Sequence, residues 1–266
     1  MKTVVDTTVF TDVLLKADAQ RTTEELAIKN ASETLLPVYA IKEFKSGPLH
    51  YFAWYHNKVV EASSWPEAIS VIRNNIGRRK NLPATALQAV GDFLGSIGKE
   101  LPDDIGQRYP GMTLETAQLT ELRTWLKQRI ARAWRKRRRI TTEVISPLPC
   151  YVEKDIVTTS SGQLDDDPLW CGAADCCLRE RYRRRLKEVQ RLEKACVGPK
   201  REVVRRRQAL GRLRSHPTKP YEEKHCRALG DAVFALDCPP GGEILTTNIV
   251  DHAPLAAALN LAVRRP

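Results

Sequence analysis

The chain has 266 residues, room for one large domain or a core with an insertion, and carries 43 Lys and Arg against 32 Asp and Glu, a formal charge of +11. A balance this basic, clustered rather than spread, fits a polyanionic partner. No uncharged apolar stretch approaches the ~20 residues of a membrane helix. "MKTVVDTTVF" places Asp6 where a signal peptide needs apolar residues, and the seven Cys are an odd set, so a reduced, cytoplasmic setting without a membrane partner is expected.

Thr3-Val4-Val5 reads as a short buried strand that ends at Asp6. Apolar residues at Val9, Phe10, Val13, Leu14 and Ala17 then have helical spacing, predicting a helix to Ala19. "TTEELA" from Thr22 has the form of a capping box with Glu25. Leu35 and Leu36 form a second short strand, and Pro37 opens a helix carrying Ile41, Lys42 and Glu43. Strand, helix, helix, strand, helix predicts an α/β fold with a parallel sheet.

The middle of the chain is mainly helical. "HYFAWYH", residues 50–56, reads as an amphipathic helix packing its aromatics inward. Leu119, Leu122, Leu126, Ile130 and Trp134 form one stripe of a long helix over 114–139. "EVISPLPCYV" after it reads as a strand, "SSGQLDDDP" as a loop, and 171–214 as two helices broken at Gly198-Pro199. Residues 215–223 read as a linker. After it, Asp231 opens the short helix "DAVFALD", and "EILTTNIVDHAPL" reads as the last core strand, ending in Thr247, Asn248 and Asp251.

Two stretches are strongly basic. Residues 123–139 hold nine Lys or Arg and no acid, and 179–214 hold fifteen against four Glu. Such an excess cannot all be paired locally, which predicts a salt-sensitive, phosphate-tracking surface with little sequence reading. The residues assigned to it are Arg132, Arg135, Lys136, Arg137 and Arg138 in the first stretch, and Arg183, Arg184, Lys187 and Arg191 in the second. Arg183, Lys187, Arg191 and Lys194 are expected on one side of a helix, with Leu178, Tyr182, Leu186, Val189 and Leu192 on another. Cys171, Cys176 and Cys177 lack the paired spacing of a zinc site, and "CPPGGE" lacks the Lys and Ser or Thr of a P-loop.

The acids carry the chemistry. In a parallel α/β sheet the C-terminal strand ends face one crevice, and Asp6 and Asn248 both fall at such ends. Carboxylates gathered there repel one another unless a hard cation such as Mg²⁺ or Mn²⁺ neutralises them.

The order and spacing of "VVDTTVF", "PVYAIKEF", "GDAVFALD" and "ILTTNIVDH" resemble the PIN-domain superfamily of metal-dependent ribonucleases, which includes VapC-type toxins. The resemblance covers roughly residues 1–45 and 221–266. It implies a three-layer PIN-like fold with a central parallel sheet, with 46–220 as a large, mainly helical, basic insertion that in part completes the core. It implies Mg²⁺ or Mn²⁺ held by Asp6, Glu43 and Asp231, hydrolysis of RNA, Asn248 in the place of a fourth acid with Asp251 as its nearby substitute, and Thr7 or Thr247 orienting the first acid or a water. Asp175, which also begins a helix, ranks below Asp231 because it lies too far from "LTTN". An antitoxin protein and a homodimer are the partners the resemblance implies. The alternative is a non-catalytic RNA-binding protein on a degenerate PIN-like core.

Overall fold

The computed structural model describes residues 1–16, 22–76, 91, 93, 95, 107–167, 177–215 and 223–266. Its centre is a five-stranded, all-parallel sheet in the order β3-β2-β1-β6-β7. The strands are β1 (Lys2–Val5), β2 (Glu33–Pro37), β3 (Glu143–Ile145), β6 (Glu243–Leu245) and β7 (Ala262–Arg264). A separate antiparallel pair joins β4 (Val157–Thr158) to β5 (Leu164–Asp165). The helices are α1 (Thr7–Leu15), α2 (Thr22–Lys29), α3 (Val38–Phe44), α4 (His50–Glu61), α5 (Trp65–Ile76), α6 (Leu114–Lys136), α7 (Cys177–Tyr182), α8 (Leu186–Ala195), α9 (Arg201–Ser215), α10 (Glu223–Asp237) and α11 (Ile249–Ala258).

The central strands are short apolar runs because they are covered on both faces. Val4, Val5, Leu35, Leu36, Ile244 and Leu245 are all buried, each worth about 1.5–3 kcal/mol of removal from water. Phe10 of α1 meets Phe44 of α3 edge to face at 5.1 Å. Tyr39 of α3 meets Phe234 of α10 in the same way at 6.1 Å.

β1 is the middle of the sheet. The chain leaves it towards β2 on one side, and returns on the other side as β6, with Val5 opposite Leu245. Strand order therefore reverses between β1 and β6, and the crevice beyond their C-terminal ends is where an open α/β sheet binds ligands.

The predicted elements stand with several corrections. α1 stops at Leu15, since Lys16 is extended with ψ 154°, so the expected run to Ala19 is too long; residues 17–21 lie outside the described set. The segment read as a loop, "SSGQLDDDP", contains β5. The strand β6 is followed by β7, so it is not the last, and Asp251 belongs to the first turn of α11 rather than to a strand end. The helix expected to run unbroken to Gly198 is interrupted by a 3₁₀ turn over Arg183–Arg185, which separates Arg183 from the face shared by Lys187 and Arg191. Leu186, expected on the buried side, is exposed, whereas Leu178, Tyr182, Val189 and Leu192 are buried. Cys171, Cys176, Asp175 and the linker residues 216–222 lie outside the described residues. β3, inside 46–220, pairs with β2 and is part of the central sheet.

Candidate active site

Asp6 follows β1 directly and caps α1. Its Oδ1 accepts the N–H of Thr7, the first helical residue, at 2.7 Å, one or two positions earlier than an N-cap side chain usually reaches. Its Oδ2 accepts the hydroxyls of Thr8, at 2.6 Å, and Thr246, at 2.7 Å. Thr246 is the residue after β6, so the β1–β6 register places it opposite Asp6. Thr7 turns the other way, donating its hydroxyl to Glu43 Oε2 at 2.6 Å. Glu43 is half-buried on α3, near the point where that helix passes through a π turn, Lys45–Leu49, containing Pro48. Proline has no N–H to continue the helical ladder, which favours the wider turn.

Asp231 reaches the same place from α10. The segment consists of two helices meeting at Gly230, whose φ of 22° and ψ of −105° are not helical. A residue with a side chain is strained at that φ. A Cβ on Gly230 would also stand 3.7 Å from Glu43 Oε1, so the kink sets Asp231 beside Glu43.

Two protein cations complete the cluster. His252 of α11 is fully buried, with Nε2 3.5 Å from Asp6 Oδ2 and 3.3 Å from Asp231 Oδ1. These are ion-pair distances, and neither ring nitrogen makes an aligned hydrogen bond. Burial alone would lower the imidazole pKa, but the Asp231 and Asp6 carboxylates raise it to about 10, so His252 is a cation at neutral pH. Arg206 of α9 places Nη2 on Asp231 Oδ2. For Asp6, burial pulls the pKa up, and the pull of His252 with the two Thr hydroxyls outweighs it, leaving the carboxyl below its ordinary value. Glu43 goes the other way. Burial first, then the charges of Asp6 and Asp231, raise it to about 8 against the Thr7 bond.

The cluster opens into a cavity of about 910 Å³. Glu43 and Asp231 lie at its floor, and Arg205, Arg212, Lys224 and Arg227 stand around it with Glu202. Arg205, Lys224 and Arg227 are exposed, while Arg206 is buried.

The structure thus brings Asp6, Glu43 and Asp231 together, and Thr7 with them. It does not bring Asn248, Asp251 and Thr247 into that group. Asn248 Nδ2 donates to Asp251 Oδ2 at 2.9 Å, and Asp251 lines a second cavity, of about 300 Å³. Thr247 is exposed; its N–H reaches Thr8 Oγ1 at 3.3 Å. Sequence reasoning missed Thr246, His252 and Arg206. His252 has a sequence signal: with Leu255 and Ala256 it forms an i, i+3, i+4 face, all of it buried. Arg206 has none inside its basic run.

The assigned basic residues divide. Arg132, Arg135, Lys136, Arg183, Arg184, Lys187 and Arg191 are exposed. Arg137 and Arg138 pair with Glu153, and Arg137 also stacks on Trp134 at 3.7 Å.

Among the described residues no group of three or more His, Cys, Asp or Glu side chains is arranged to hold an ion, and no helix is long and apolar enough to cross a membrane. The donor types at the cavity floor, the Glu43 and Asp231 carboxylates, are the oxygen ligands that a hard divalent cation takes. Comparison of the chain with family models, with curated proteins and with solved structures finds no match.

Proposed function

We propose that the chain is a metal-dependent endoribonuclease with a PIN-like core. The observation that carries this reading is the cavity with an acidic floor and a basic surround at the switch point of the sheet. Asp6, Glu43 and Asp231 would hold Mg²⁺ or Mn²⁺. Such an ion supplies Lewis-acid polarisation of a phosphodiester and stabilises the charge that develops on it. The chain's own residues do the rest. Arg205, Arg212, Lys224 and Arg227 neutralise backbone phosphates along the cavity edge. Thr7 fixes the rotamer of Glu43, and Thr8 and Thr246 fix that of Asp6.

Glu43→Gln is the informative variant, because it keeps the Thr7 contact and replaces a group already largely protonated at neutral pH in the ion-free chain. With RNA and Mn²⁺, cleavage is expected from the wild type, none with chelator, and a loss of roughly a hundredfold or more in the variant. Cleavage that survives the chelator or the substitution overturns the mechanism.

A second reading, a non-catalytic RNA-binding protein, is favoured by His252 and Arg206, which already neutralise Asp6 and Asp231. RNA binding without cleavage across Mg²⁺ and Mn²⁺ would select it.

A further inference from the structure

Arg206 is 8% exposed. A guanidinium so buried ordinarily uses its whole fork of donors. Here Nη2 is on Asp231 Oδ2, while Nε is buried without a hydrogen-bond partner. The side chain also lines both cavities, the acid-floored one and the smaller one of about 300 Å³. Asp251 faces that smaller cavity, and its Oδ2 is held by Asn248 Nδ2. Arg206 therefore has one carboxylate in use on the side of the larger cavity and a second carboxylate lining the smaller cavity with it.

We propose that Arg206 is a displaceable counterion of Asp231: it neutralises Asp231 in the ion-free chain, and turns into the smaller cavity towards Asp251 when a divalent cation takes the acid cluster. The inference rests on the metal reading above, and adds to it a built-in competitor for the ion and a role for Asp251 and Asn248. A guanidinium and a divalent ion sharing Asp231, beside the His252 already on its Oδ1, repel each other at low effective dielectric, so each weakens the other's hold on the carboxylate. The unmet Nε makes the present position incomplete, so leaving it forfeits little beyond the Asp231 contact.

The test is Mn²⁺ binding to the full chain, stripped with chelator, by titration calorimetry on the wild type, Arg206→Gln, Asp251→Asn and the double variant. Arg206→Gln is expected to bind roughly tenfold tighter or better, since a competing charge is gone. Asp251→Asn is expected to bind roughly threefold weaker or worse in the wild-type background, and to change nothing in the Arg206→Gln background. An unchanged or weaker affinity in folded Arg206→Gln overturns the proposal while leaving the metal reading in place. Equal losses from Asp251→Asn in both backgrounds also overturn it, by making Asp251 a ligand of the ion. Absence of Mn²⁺ binding in every protein, wild type included, removes the metal reading and this inference together. Should Arg206→Gln fail to fold, hydrogen exchange of the wild type decides: saturating Mn²⁺ is expected to raise exchange across Arg201–Ser215, and unchanged exchange overturns the proposal.

Discussion

Thr246 has no exposed surface, and its hydroxyl works in two directions. It donates to Asp6 Oδ2 at 2.7 Å and accepts the Asn248 N–H at 2.9 Å. Replacing it with Val keeps the volume, removes a donor from a buried carboxylate and orphans a backbone N–H. The expected cost is about 1–3 kcal/mol in urea denaturation. Thr247→Val, on an exposed neighbour, is expected to stay within about 0.5 kcal/mol. Equal costs, or the reverse order, would mean that the β1–β6 register is shifted by one residue, which exchanges the faces of the two threonines. Asp6 behaves differently from its neighbours. Asp6→Ala leaves the His252 imidazolium with Asp231 as its remaining close carboxylate and strips Thr8 and Thr246 of their acceptor. A loss of about 3–5 kcal/mol is expected, the cost of breaking a buried pair from one side. A loss of activity in an Asp6 variant therefore needs a denaturation curve beside it before it speaks to chemistry.

At the scale of elements, part of the basic sequence is scaffold. Arg123 of α6 donates from Nε to Val59 O at 3.0 Å, and from Nη2 to Val60 O at 3.2 Å and Ala62 O at 2.9 Å, closing the C-terminal end of α4. Arg129 does the same at the end of α1, on the carbonyls of Leu15 and Lys16. A cation there meets the negative end of the helix dipole and its unpaired carbonyls. Arg123→Met is expected to cost about 2 kcal/mol in urea denaturation, whereas Arg132→Ala and Arg135→Ala, on exposed positions, stay within about 0.5 kcal/mol. A second element-scale tie is Glu243 on β6. It accepts the Thr3 hydroxyl of β1 at 2.7 Å and pairs with Arg264 of β7 at 3.1 Å. Burial raises its pKa, but Arg264 and Thr3 outweigh burial and the carboxyl lies below its ordinary value. A depressed folded pKa gives stability that is present above the unfolded value of about 4.5 and is lost as pH falls through the lower folded value. Denaturation midpoints are thus expected to drop below about pH 4.5, and Glu243→Gln to flatten that part of the profile; an unchanged slope in the variant would assign the acid loss to other carboxylates. These ties also show what the sequence could carry. Strands and helix faces were legible because burial on both faces of a sheet, or one face of a helix, imposes a short period, and Asp6 was legible as the polar residue that ends β1. The capping roles of Arg123 and Arg129, the register of Thr246 and the pairing of Arg206 with Asp231 were not. Each depends on which distant segment packs alongside, and a run of arginines looks the same whether its members cap helices or face water.

At the scale of the whole molecule, the charge of +11 is divided between internal ties and outward faces. Arg181 and Arg185 are tied inward, to Asp237 and to Glu188 with the Leu236 carbonyl, while Lys187, Arg191 and Lys194 of α8 stand exposed above buried Val189 and Leu192. Under the proposed function, affinity for a phosphate polymer would come from the outward set, through counterion release. For a single-stranded RNA, log affinity is expected to fall linearly with log salt, at roughly 0.7 per phosphate neutralised. Lys187→Gln combined with Arg191→Gln is expected to reduce the steepness by roughly 1–2 and to weaken binding to all sequences alike. Arg123→Met should change stability and leave the slope as it is, because that guanidinium is already engaged with backbone carbonyls. Filter binding or anisotropy across a salt series measures both. A slope unmoved by the α8 pair would take the RNA off that face and leave the cavity edge, with Arg205 and Arg227, as the surface that tracks it. In that case Arg205→Gln with Arg227→Gln would lower the slope and the cleavage rate together, whereas contacts on α8 alone would lower only the slope.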